Sequence, residues 1–65
     1  MSRNDKCELA CIAIKATKLA LLCDFGDKEA WIPQSLIDDD SEVYKEGDEG
    51  ILIIPEWLAL DKGLI

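Results

Sequence analysis

The chain contains no histidine, so the commonest general base and the commonest neutral metal ligand are both missing. Cysteine is scarce and odd in number: Cys7, Cys11 and Cys23 include no Cys-x-x-Cys pair. That excludes a closed disulfide framework and leaves a zinc site without its usual ligands. Cys11 and Cys23 sit inside apolar runs, where a free thiol behaves as a small buried hydrophobe. No apolar stretch approaches the ~20 residues that span a bilayer. The opening "MSRNDKCEL" is polar and of mixed charge, unlike a secretory leader, so a cytoplasmic protein without membrane contact is expected.

What is present is globular in kind. The 65 residues are 49% hydrophobic and 32% charged, with the apolar residues in coherent runs. A chain this short buries only ~60% of its unfolded surface, near the lower limit for one self-supporting core. Residues 1–6 read as a flexible arm and residues 7–65 as a single small α+β domain. "CELACIAIKATKLALLCDF" fits two short strands meeting at "KATK". Ile12 and Ile14 share one face, and Leu19, Leu21, Cys23 and Phe25 recur at period two. A helix from Cys7 to Leu22 remains the alternative, because alanine and leucine favour helix. Gly26-Asp27 marks a hairpin turn between "LALLCDF" and "KEAWI", and Pro33 ends the second strand. "PQSLI" reads as one helical turn that tucks Leu36 and Ile37 inward. Val43 and Tyr44 are expected to anchor the loop that follows. "ILII" suits a strand buried on both faces or covered by a helix. In "PEWLALDKG", Pro55 fits the first helical position and Gly63 the position after the C-cap. Trp57, Leu58 and Leu60 are expected to hold that helix on the sheet, and Trp31 joins them in the core. The expected architecture is a small antiparallel sheet of three to five strands with one short C-terminal helix.

Charge is segregated. Residues 24–49 hold ten acids against Lys28 and Lys45, whereas residues 1–23 are net basic, and the chain carries −7 overall. The densest stretch is "LIDDDSEVYKEGDEGIL". No nucleophile, base or metal constellation accompanies it, and 65 residues leave little wall for a substrate cleft, so no catalysis is expected. A calcium loop counted from Asp38 places Val43 where the sharp turn needs glycine, although Glu49 falls at the twelfth position. No metal and no cofactor are therefore expected. Direct nucleic-acid binding is disfavoured, because affinity for phosphates comes from Lys and Arg.

Two readings of the acidic segment remain. It is a solvated surface that keeps a small domain soluble, or it is a binding surface whose partner supplies the counter-charge. Like charges on a small fold repel one another, and a basic nucleic-acid-binding protein would relieve that cost. A short, strongly acidic chain without catalytic residues resembles the small phage proteins directed against host defences, and in particular the anti-CRISPR proteins. "AWIPQS" and "IPEWLALDKGL" are also similar to short sequences met in phages and prophages, over residues 15–64. The resemblance implies an inhibitor that mimics nucleic acid on a CRISPR effector, acting in the host-cell cytoplasm; it carries over no functional residue. The candidate partner-binding residues are Asp38, Asp39, Asp40, Glu42, Glu46, Asp48 and Glu49, with Tyr44 as the aromatic anchor. Asp24, Asp27 and Glu29 of the hairpin turn come second. A monomer is expected. The alternative is a small adaptor module acting by sheet-edge or apolar-patch contact, with "CELACIAI" as the pairing strand.

Overall fold

The computed structural model describes residues 5–65. Four strands, β1 (Lys6–Ala16), β2 (Ala20–Asp24), β3 (Glu29–Pro33) and β4 (Glu49–Pro55), form one antiparallel sheet in the order β3-β2-β1-β4. A 3-10 turn over Gln34–Leu36 follows β3, and one α-helix, α1 (Glu56–Asp61), follows β4. The expected α+β fold is thus observed. The expected arm falls mostly outside the described residues, and its last residue, Lys6, opens β1.

The N-terminal third is strand, and the helical alternative is not adopted. The reason lies in its alternation: Cys7, Leu9, Cys11 and Ala13 point to the covered side, while the residues between them are exposed. β1 is longer than expected because it serves two partners. Its residues 6–12 pair with β4, and Ile12 onward pairs with β2. An irregularity between Ala13 and Lys15 accommodates the change, with Ala13 opposite Cys23 and Lys15 opposite Leu22. The turn falls slightly later than "KATK": Lys15 and Ala16 still belong to β1, and residues 17–19 reverse the chain, with the Thr17 hydroxyl accepting the backbone N–H of Ala20 at 3.0 Å. Leu19 lies in this turn and is exposed, so only Leu21 and Cys23 of its expected set face fully inward. The second turn closes as expected: the Phe25 N–H donates to the Lys28 carbonyl at 2.8 Å, and Gly26 takes φ 101°.

The core occupies one side of the sheet. It comprises Cys11, Ala13, Leu21, Cys23, Ile32, Leu52 and Ile54 from the strands, Leu58 and Ala59 from α1, and Val43 from the acidic loop. Leu36, Ile37, Phe25 and Leu64 pack around its margin. The helix ends as its sequence suggests. Gly63 takes φ 72°, its N–H donates to Leu60, and the Leu64 N–H donates to Ala59, a Schellman closure. Lys28 then reaches across from the hairpin turn to donate to the Gly63 carbonyl at 3.0 Å. At the other end Pro55 is the N-cap and not the first helical residue.

The tryptophans depart from expectation. Trp57 and Leu60 are half exposed, at 50% and 52%, and do not hold α1 down. At ~100° per residue, a helix that buries Leu58 and Ala59 turns Trp57 and Leu60 each about 150° from the centre of the buried face. Trp31 neighbours Ile32 in a strand, and Ile32 is fully buried, so Trp31 must face the opposite side.

The three thiols are free, and burial raises the pKa of each. It pushes Cys23 furthest, up to about 12, with the neighbouring Cys11 adding to the effect. A thiol held neutral by folding contributes nothing below its ordinary pKa and destabilises above it, because only the unfolded chain then gains by ionising. Stability is therefore expected to fall between the ordinary thiol range and about pH 12. At neutral pH, aromatic-disulfide titration should modify half-buried Cys7 first and Cys23 only at the rate of unfolding. Equal reactivity at the three positions would show that this core does not stay closed.

Candidate protein-binding surface

The acidic segment is built as a cover for the free edge of β4. An edge strand presents a row of unpaired N–H and C=O groups, and the sequence from Asp38 to Glu42 satisfies them. The Asp38 N–H donates to the Ile53 carbonyl at 2.9 Å, and the Glu42 N–H donates to the Ile51 carbonyl at 2.8 Å. Side chains complete the pattern. The buried Ser41 hydroxyl accepts the Ile53 N–H at 2.8 Å and donates to the Ile53 carbonyl at 3.1 Å. Glu42 Oε1 accepts the Ile51 N–H at 2.9 Å. Fully buried Val43 pins the segment to the core, as expected.

The remainder of the loop is closed by its own polar groups. Asp38 Oδ1 accepts the Asp40 N–H at 2.9 Å, and Asp48 Oδ2 accepts the N–H groups of Tyr44 and Lys45 at 3.0 and 3.1 Å. The Tyr44 hydroxyl donates to the Asp39 carbonyl at 2.7 Å, while half of its surface stays exposed. The loop then extends the ladder beside β1: the Gly47 N–H donates to the Ala13 carbonyl and the Ala13 N–H to the Asp48 carbonyl, both at 2.8 Å. Lys6 forms an ion pair with Asp38. That hydrogen-bonded lysine, helped by the Asp40 N–H, holds the Asp38 carboxyl below the usual range, and Asp38 in turn raises Lys6. The Tyr44 N–H does the same for Asp48. Both carboxylates therefore support the fold above the ordinary carboxylate range, and that support is lost as pH falls through their lowered values.

The eleven candidate residues separate into two roles. Asp38, Glu42 and Asp48 are engaged in fixing the loop, and Tyr44 ties its two halves together. Asp39, Asp40 and Glu46 are exposed, and no side chain contacts their carboxylates within hydrogen-bond or ion-pair distance among the described residues. The strand pairings set the order of the rest. Glu49 and Asp24 are the two cross-strand neighbours of Ile12, and Glu29 lies opposite Asp24. A row Glu29–Asp24–Ile12–Glu49 thus crosses one end of the sheet, next to the Asp27 turn and to Glu46 and Asp48. Acidic side chains therefore run along the covered β4 edge from Asp38 to Glu42, round the loop end, and across the sheet end to the hairpin turn.

A further surface is not among the sequence candidates. Among the described residues nothing covers the side of the sheet away from α1, and that side is largely apolar: Ala10, Ile12, Ile14, Leu22, Trp31, Ile51 and Ile53. Ile12, Ile14 and Trp31 are each 41% exposed. The signal for it is present in β1, whose two alternating sets are both mainly apolar, in a chain whose one short helix can cover only one face. An open groove of about 330 Å³ lies at the acidic end of the sheet, lined by Ala10, Ile12 and Ile51 of this face, by Asp24 and Glu49, and by Cys11 and Phe25, which belong to the core side.

Among the described residues, no three His, Cys, Asp or Glu side chains converge as a metal site, and no helix is long and apolar enough to cross a membrane. No protein-family model, curated protein or solved structure matches this chain.

Proposed function

We propose that this chain is a non-enzymatic acidic inhibitor that mimics nucleic acid and blocks the DNA- or RNA-binding surface of a basic partner. A CRISPR effector complex is the target suggested by the anti-CRISPR resemblance, and the site of action is the host-cell cytoplasm. One observation carries the reading. Of the carboxylates strung along the β4 edge and across the sheet end, Asp38 alone has a cation within ion-pair distance among the described residues. The remainder carry charge that the fold does not neutralise, on a support fixed by backbone hydrogen bonds. A Lys/Arg-lined groove would supply the missing counter-charge and gain rate and specificity from it.

The test uses side chains that the fold does not need. Glu42 is unsuitable, because it holds the Ile51 N–H. Asp39→Lys, Asp40→Lys and Glu46→Lys together should leave the circular dichroism spectrum unchanged and abolish capture of the partner. With immobilised chain and nuclease-treated host lysate, captured proteins should elute with duplex DNA or RNA and with rising salt. Capture that resists both competitors, or that survives the triple reversal, would overturn the proposal.

A further inference from the structure

The uncovered sheet face is unusual for a domain of this size. Isolated apolar side chains on a surface are ordinary, but a contiguous apolar patch marks a docking site. Here Trp31 and Leu22 are direct cross-strand neighbours, as are Ala10 and Ile51, and β1 joins the two pairs through Ile12 and Ile14. Trp31 is the kind of large, rigid, half-exposed side chain that dominates binding energy when a partner buries it.

The charges around the patch select its occupant. Asp24, Glu29 and Glu49 cross one end and Glu8 lies opposite Ile53, whereas Lys15, opposite Leu22, is the cation within the apolar area. Asp24 and Glu49 stand on either side of Ile12, two strand spacings or roughly 10 Å apart. The groove of about 330 Å³ runs between them over apolar carbon. A Lys or Arg side chain fits that arrangement: its stem packs on Ile12 and Ile51 and its charge meets both carboxylates. A second copy fits poorly, because stacking two such faces would bring two acidic rows out of water together, on chains that each carry −7.

We infer that the uncovered face of the sheet is a docking site for a protein segment that is apolar along one side and flanked by Lys or Arg, with Trp31 and Ile12 at its centre. This surface is distinct from the β4-edge carboxylates, although the sheet-end acids Asp24, Glu29 and Glu49 border it and also belong to the preceding proposal; Asp39, Asp40 and Glu46 belong to that proposal alone.

A synthetic amphipathic peptide of alternating leucine and lysine serves as the probe, and each tryptophan reports separately. In a Trp57→Phe variant, the remaining Trp31 emission should shift to the blue and become shielded from acrylamide as peptide is added. In a Trp31→Phe variant, Trp57 on α1 should be unaffected. Ile12→Thr with Ile14→Thr keeps β-branched residues in the strand and should weaken binding roughly tenfold or more. Asp24→Asn with Glu49→Gln should weaken it and flatten its salt dependence, while the matching leucine–glutamate peptide should not bind. Shielding of Trp57 in place of Trp31, or equal binding of the acidic peptide, would overturn the inference. So would a sedimentation dimer in which Trp31 is already shielded without peptide. The Asp39/Asp40/Glu46 reversal should leave peptide binding to Trp31 within about twofold. A failed nucleic-acid competition and a failed face titration are therefore separate results.

Discussion

Leu52→Ala is expected to remove most of the stability of this domain. Leu52 is fully buried at the centre of β4, opposite Leu9 and within the cluster that includes Ile54 and Leu58. Truncating a buried leucine costs about 2–5 kcal/mol, the lost transfer energy plus the cavity left behind. A 65-residue domain at typical values has about 3–10 kcal/mol in all. The variant should therefore melt tens of degrees lower or be partly unfolded at 25 °C, read by denaturant titration followed by circular dichroism. Leu60→Ala is the control: its side chain is half exposed on the far side of α1, and the change should stay within about 0.5 kcal/mol. Similar losses at both positions would mean that α1 does not pack in this orientation.

Gly50→Ala is expected to detach the acidic loop from the sheet. Gly50 takes φ 149°, a backbone state that residues with a side chain rarely adopt. A Cβ there would lie 2.8 Å from Glu42 Oε1 and 3.0 Å from Glu42 Cβ. The backbone strain alone costs about 1–3 kcal/mol. The steric conflict falls on the side chain that accepts the Ile51 N–H, so relief of one costs the other. Amide hydrogen exchange should show loss of protection at Ile51 and Ile53, together with Glu42, while β2 and β3 keep theirs. Unchanged protection at Ile51 would show that Glu42 is dispensable to the edge. A Gly26→Ala change makes a useful comparison, since its φ of 101° is also strained but its Cβ would meet nothing within 4 Å.

The Gly50→Ala change bears on the dual nature of the acidic segment. Part of it is a device for closing a sheet edge. Asp38, Ser41 and Glu42 take the place of a fifth strand, with Ser41 and Glu42 supplying the acceptors that a strand backbone would otherwise provide. Asp48 and Tyr44 then hold the loop in shape. The other acids, Asp39, Asp40 and Glu46 in the loop with Asp24, Glu29 and Glu49 at the sheet end, add like charge to the surface. They are the residues on which the proposed inhibitor function rests.

Several features of the fold were legible from local chemistry. The hairpin over Asp24 to Glu29 follows from Gly26-Asp27 between alternating runs, and the end of α1 from Lys62-Gly63. Burial of Cys11, Cys23 and Val43 followed from their apolar neighbours. The two strands on either side of "KATK" were legible, but the full length of β1 was not, because which partners a strand pairs with cannot be read from its spacing. Trp31 and Trp57 were placed in the core for their size, yet in a strand and a short helix the direction of a side chain is set by its neighbours' phase. The division of the carboxylates into those that fix the loop and those that face solvent depends on hydrogen bonds between residues far apart in the chain, such as Ser41 to Ile53.

The amino-acid sequence by itself determined the class of this protein: a small α+β domain, intensely acidic in its middle third and free of histidine. Those properties follow from composition and from local turn and strand chemistry. Tertiary structure alone decided that the acidic segment closes the β4 edge, that Asp24 and Glu49 flank Ile12 on either side, and that among the described residues one face of the sheet stays bare. Each of these depends on which strands pair and on one short helix having only enough apolar surface for a single side of the sheet.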